Sequence, residues 1–193
     1  MAEEKLIDRE DWTEHYVRQG NPKAPTYYII RFSGASGLFA KFVAIAARVK
    51  YAITKNWIPV VDMQNYPNFY LSPEKFGKEN AWEYYFEQPM RIGLEEAFEG
   101  ENVILSGKQT PIPIPFGMIG CWENKKDILA KWQMLVDLGF LKVKPELMEE
   151  ILAIQNKLFP PKERILGAHL RGTDYLTKPH AHPIPPPPNM RYV

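Results

Sequence analysis

Between Thr26 and Asp62 the chain passes through a strand-length segment, a turn of small residues, a long helix and a second short strand, and no other feature narrows its fold as much. Thr26-Tyr-Tyr-Ile-Ile-Arg31 is rich in β-branched and aromatic residues. Phe32-Ser-Gly-Ala-Ser-Gly37 follows, and its small residues allow the backbone to turn tightly. From Leu38 to Ile53, Leu38, Phe39, Phe42, Val43, Ile45, Ala46, Val49, Ala52 and Ile53 recur at helical spacing, which predicts a packed helix. Trp57-Ile-Pro-Val-Val-Asp62 reads as a buried parallel strand closed by an acid. Strand, glycine turn, helix and strand in that order predict a βαβ unit, hence an α/β fold with a Rossmann-like parallel sheet.

The rest of the chain extends this pattern. Residues 1–25 read as a polar leader in which Trp12 and Tyr16 can anchor one side. The aromatic stretch Tyr66 to Phe86, broken by Pro67, Pro73 and Gly77, predicts a loop, then a short helix over 79–86 and another around 91–98. Asn102-Val-Ile-Leu105 predicts a third strand, and the alternate prolines of Thr110 to Pro115 an extended loop. Helices are expected over 127–138 and from Pro145, the latter with a stripe of Leu147, Ile151, Ile154 and Leu158. A last strand, 165–170, feeds Arg171-Gly-Thr-Asp-Tyr175. Six of the 18 prolines fall within Pro179 to Val193, so the chain ends in an extended segment. The domain reading is a leader over 1–25, an acceptor-side domain over 26–162 and the start of a second, nucleotide-sugar-binding domain over 163–193.

Composition excludes several function classes. Twenty-four Lys and Arg against 23 Asp and Glu give a formal charge of +1, which provides no electrostatic footprint for nucleic acid or an acidic membrane. The single Cys121 cannot form an intrachain disulfide or a Cys-rich zinc site, so a reducing, cytoplasmic setting and no metal are expected. His180 and His182 have the spacing of two ligands on one strand face but lack partners to complete a set.

Two places carry candidate chemistry. Gly34-Ala-Ser-Gly37 at a strand-to-helix junction lets a ligand approach the backbone, and the free N–H groups of the next helix favour an anion there. In a dinucleotide-binding protein Asp62 would bond the ribose, although G-x-x-G departs from G-x-G-x-x-G. His169-Leu-Arg171-Gly-Thr173-Asp174 lies at the carboxyl end of a strand, where Arg171 can grip a phosphate bidentately.

The His169-x-Arg171-x-Thr173-Asp174 segment resembles the first donor-site motif of the α1,6- and protein O-fucosyltransferases and the related nodulation fucosyltransferases. The glycine turn, the Ala-rich helix and Lys55-Asn-Trp-Ile-Pro-Val-Val-Asp62 resemble that family's first βαβ unit. The resemblance implies a metal-independent glycosyltransferase of GT-B fold that takes fucose from GDP-fucose to a glycan or other hydroxyl acceptor with inversion, in carbohydrate biosynthesis. It implies that Arg171 contacts the β-phosphate, with His169 and Thr173 beside it, and that Gly34, Ser36 and Gly37 face the cleft. Asp174, the nearest carboxylate, is the base it leaves, and Gly172 stands where the α1,6 enzymes carry a second arginine. Only the first strand of the second domain is present, so an incomplete enzyme of weak activity is expected. The alternatives are a dinucleotide-binding α/β protein resting on Gly34, Gly37 and Asp62, and a non-catalytic carbohydrate-binding domain using the aromatic stretch.

Overall fold

The computed structural model describes residues 11–33, 37–107 and 139–159, with Gln133, Val136 and Asp137 between them. Its elements, in chain order, are β1 (His15–Gln19), β2 (Thr26–Arg31), α1 (Leu38–Thr54), β3 (Ile58–Asp62), a 3-10 turn (Ala81–Tyr84), α2 (Leu94–Glu99), β4 (Asn102–Leu105) and α3 (Pro145–Leu158). The predicted strand at 165–170 lies outside the described residues, as does most of the helix predicted over 127–138. Two compact units divide the chain, 1–151 and 152–193.

The sheet has the order β1-β4-β2-β3. β2 pairs in parallel with both β3 and β4, while β1 is antiparallel to β4 with a register shift between Tyr16 and Arg18. The fold is therefore mixed α/β with a mostly parallel sheet built around the predicted βαβ unit. The polar leader contributes β1, an edge strand. Its short, charged and bulged sequence HYVRQ lacks the apolar run that marked the other three, because an edge strand buries only part of its surface.

Alternation along the strands sends their side chains into two cores. Tyr28, Ile30, Val61, Met63 and Ile104 meet Ile45, Ala46, Val49 and Ala52 of α1 on one face. Ile29, Val60, Val103 and Leu105 meet Leu94 and Ala97 of α2 on the other. A sheet covered by helices on both faces explains why these strands read as continuous apolar runs. α1 ends where Asn56, at φ 58°, turns left-handed. There the Trp57 and Asn56 N–H groups donate to Ala52 and Ile53 carbonyls at 2.9 and 3.0 Å, a Schellman closure that returns the chain to β3.

β3 is the other edge, and side-chain amides cover it. Gln88 accepts from the Val61 N–H at 2.8 Å and donates to the Val61 carbonyl at 3.0 Å, as a neighbouring strand would. Asn80 adds a donation to the same carbonyl at 2.7 Å and accepts from the Met63 N–H at 3.1 Å. Pro59, two residues before Val61, points its missing donor the same way, so it costs no ladder bond to β2.

Between Tyr66 and Phe86 the expected short helix contracts to the 3-10 turn, with Asn80 capping it through the Trp82 N–H. The helix expected around 91–98 begins at Leu94, because Arg91 takes a left-handed φ of 60°. Ile151, Ile154 and Leu158 of α3 are exposed rather than packed, for none of the helix's residues is buried. No helix among the described residues is long and apolar enough to cross a membrane.

Candidate functional site at the carboxyl edge of the sheet

In an open parallel sheet, ligands bind beyond the carboxyl ends of the strands, where loops and helix N-termini converge. Here that edge is formed by Arg31 of β2, Asp62 of β3, and Ser106 just after β4. The Phe32 N–H donates to the Asp62 carbonyl at 3.1 Å, the Arg31 N–H to the Ser106 hydroxyl at 2.9 Å and the Ser106 N–H to the Ile29 carbonyl at 2.9 Å. These bonds carry the strand pairing to the very edge and fix the side chains there.

Gly37 is the N-cap of α1, exposed and without a side-chain cap. Its φ of −63° suits any residue, and a Cβ there would meet nothing within 4 Å. Backbone strain therefore does not explain the glycine, and among the described residues none crowds its Cβ position. Gly34 and Ser36, the other turn residues expected to face a ligand, lie outside the described residues. So do His169, Arg171, Thr173 and Asp174.

Asp62 is buried and committed. One oxygen accepts from the Gln64 and Asn65 N–H groups at 2.9 and 3.0 Å, and the other accepts from the Asn65 side-chain amide at 3.0 Å. Burial raises its pKa against the lowering effect of these donors and of the Arg31 charge. Asp62 thus closes the turn after β3, and the ribose-bonding role does not fit a carboxylate whose oxygens are already engaged.

Arg31 is the larger surprise. Its side chain is 1% exposed. Nε donates to the Ser106 carbonyl at 2.8 Å, and the two terminal nitrogens donate to the Asp11 and Thr13 carbonyls at 2.7 and 2.9 Å. The Trp12 and Tyr66 rings lie 4.9 and 5.8 Å from its guanidinium carbon and 5.2 Å from each other. Next along the chain, Glu14 accepts from the Tyr28 and Tyr51 hydroxyls at 2.7 and 3.0 Å. Residues 11–14 are thereby bound across this end of the sheet.

Two further buried cations lie in α1. Lys41 is fully buried, with its amine 4.5 Å from the Phe32 ring centre and 5.8 Å from that of Tyr70. Burial pulls its pKa down to about 8. Arg48 reaches back to the Gly107 carbonyl at 3.2 Å, and burial lowers its pKa as well. The sequence held a signal for both: Leu38, Lys41, Ile45, Arg48, Val49 and Ala52 share one helical stripe, so two cations interrupt an otherwise apolar face. Arg31 was visible as the only charge in its strand.

The aromatic stretch packs instead of forming an open platform. Trp82 and Phe86 stack at 4.4 Å, Phe42 lies against both, and Tyr66, Trp82 and Phe86 are buried. Phe69, 76% exposed, is the exception. Elsewhere, a cleft of about 360 Å³ is lined by Glu83, Phe86, Glu87, Arg91 and Lys144. Glu87, in its wall, pairs with Lys142 at 3.2 Å and with Arg91 at 3.6 Å.

A mostly parallel α/β sheet with a glycine-led helix and buried cations at its carboxyl edge defines a class of protein, not an individual one. No family model matches the chain, and no solved structure matches it. Among curated proteins it is similar to uridine kinase of Saccharomyces cerevisiae, 32% identical over 93 residues. That match takes in 48% of this chain and 18% of the yeast protein, so the chain spans less than a fifth of the relative's length. The expected kinship with fucosyltransferases is corrected by this result: the similarity found lies with a kinase, and neither a glycosyltransferase nor a GT-B assignment is supported. The motif that suggested it is six residues long and only four of them are specific, too short to carry a family.

Proposed function

We propose that the sheet and its helices form a nucleotide-binding domain of Rossmann-like type, in an enzyme acting on a nucleotide or nucleoside, with the phosphates received at the carboxyl edge beside the start of α1. The observation that carries this reading is the β2–Gly37–α1–β3 unit, whose helix begins at an exposed glycine at the edge where α/β sheets take anions. The partial similarity to uridine kinase supports the same class of ligand. A P-loop would place Lys and Ser or Thr directly after its last glycine, whereas Leu38 and Phe39 follow Gly37. Cationic contact in this chain would therefore come from other residues, of which Arg31 and Lys41 are nearest in sequence to the turn. The engaged oxygens of Asp62 weigh against a dinucleotide whose ribose that carboxylate would hold.

Thermal melting of the full chain with ATP, UTP, uridine, NAD and GDP-fucose tests the proposal, since a ligand bound only by the folded state raises the melting temperature. A rise with ATP, UTP or uridine is expected. A rise with NAD alone would favour the dinucleotide alternative, one with GDP-fucose alone would return the sugar-nucleotide reading, and no rise with any of the five overturns nucleotide binding.

A further inference from the structure

Arg31 ends a central strand at the edge where an α/β sheet meets its ligand, yet its two outward nitrogens are filled by main-chain carbonyls of the chain's own N-terminal segment. A guanidinium presents paired donors in a fixed fork, the geometry that suits two oxygens of a phosphate or carboxylate. The carbonyls of Asp11 and Thr13, two residues apart, fill that fork at 2.7 and 2.9 Å. They are neutral acceptors, whereas an oxyanion would bring the opposite charge to the same two bonds. We propose that Arg31 is an oxyanion site at the carboxyl end of β2 and that residues 11–14 are a strap holding it closed, their carbonyls standing where the oxyanion oxygens bind.

The strap's fastenings that involve Trp12 and Glu14 lie outside the sheet's hydrogen-bonded ladder. Trp12 covers the guanidinium and leans on Tyr66, and Glu14 ties down through the Tyr28 and Tyr51 hydroxyls. Asp11 and Thr13 are exposed, and among the described residues the regular structure next to them in sequence is the edge strand β1. Release of the four residues therefore leaves both cores and every strand pair in place. Asp62, the cross-strand neighbour of Arg31, keeps its own turn closed through Gln64 and Asn65 and so does not depend on the strap. An anion must displace the strap to bind, so its apparent affinity is reduced by the fraction of closed molecules. The inference takes from the nucleotide reading only the identity of the anion.

Titration calorimetry with inorganic pyrophosphate and with ATP, on the wild-type chain, Trp12→Ala and Trp12→Ala/Arg31→Lys, tests it. Trp12→Ala should bind pyrophosphate about tenfold tighter than wild type, because loosening a strap by one cation–π contact shifts the closed population by about that factor. Arg31→Lys, which keeps the charge but loses the fork, should cancel the gain. Equal pyrophosphate affinity in wild type and Trp12→Ala, or a gain that survives Arg31→Lys, overturns the proposal. Gain for pyrophosphate without any ATP binding upholds the strap and removes the nucleotide reading; equal ATP binding by both chains does the reverse. If Trp12→Ala fails to fold, amide exchange in the wild type decides. Saturating pyrophosphate should speed exchange at Trp12 to His15, and unchanged or slowed exchange overturns the strap.

Discussion

Lys41 shows how one residue can work against the fold that contains it. Its ordinary pKa is 10.5, and burial holds it at about 8 in the folded chain. Below pH 8 the amine is charged in both states and the folded state bears the full desolvation penalty. Between pH 8 and 10.5 the folded chain binds fewer protons than the unfolded one, so this residue's contribution to stability rises with pH; above 10.5 the penalty is gone. Lys41→Met keeps the length of the stem and removes the charge. It should melt at a higher temperature than wild type at pH 7, with the difference shrinking from pH 8 to 10.5 in paired melting curves. A constant difference would show that Lys41 does not titrate there. Gly100 is the opposite case, a residue defined by what it lacks. A Cβ at that position would run into the Tyr27 ring and lie 3.1 Å from the Ala97 carbonyl. Gly100→Ala should cost about 1–3 kcal/mol in urea denaturation, as overpacking does. In a double-mutant cycle the loss should shrink when Tyr27→Ala removes the ring, which identifies the clash as the cause.

At the scale of elements, the β3 edge decides whether the four strands of the described residues can pair further on that side. Gln88 and Asn80 satisfy the outward groups of Val61 and Met63, so a strand edge that would otherwise invite pairing with another chain is already occupied. Gln88→Ala leaves the Val61 N–H buried and without its acceptor, while its carbonyl keeps Asn80. We expect a loss of about 1–3 kcal/mol, read as a lower urea midpoint with an unchanged slope. An unchanged midpoint would mean that water replaces the amide. The α2 end is secured in a related way: Arg18 of β1 donates to the Phe98 and Gly100 carbonyls, each at 2.8 Å. Asn102 of β4 holds the loop before β2 by accepting from the Gly20 N–H at 2.9 Å and donating to the Asn21 carbonyl at 2.7 Å. The antiparallel edge strand is thus tied in by side chains as much as by its ladder.

For the molecule as a whole, the nucleotide reading has a quantitative consequence. A ligand present at a hundred times its dissociation constant stabilises the folded state by about 2.7 kcal/mol. For a chain of this size, one kcal/mol shifts the melting temperature by about 2–4 °C, so a nucleotide at that excess should raise it by about 5–10 °C. A shift of that size with ATP or UTP that is absent with NAD would tie the ligand to the mononucleotide class.

By itself the sequence determined the elements whose signal is local. Thr26 to Arg31, Leu38 to Thr54, Ile58 to Asp62 and Asn102 to Leu105 were legible because strands buried on both faces and a packed helix with a period near 3.6 write their environment into composition, while the helix from Pro145 was legible as a helix but not in its exposure. The βαβ unit and its parallel pairing follow from that order alone. Only the tertiary structure decided the rest. That β1 exists depends on β4, eighty-odd residues away, offering it an edge, and no periodicity in HYVRQ announces this. That Gln88 and Asn80 act as a surrogate strand depends on a loop folding back to β3. Asp62 was legible as the acid closing a strand, but its engagement with Gln64 and Asn65 was not, since a turn's hydrogen bonds depend on φ and ψ angles that residue identity leaves open. Arg31 and Trp12 are far apart along the chain and adjacent in space, and the site they make is written in no motif. Sequence patterns record what each residue faces on average; which partner it faces is set by packing at long range.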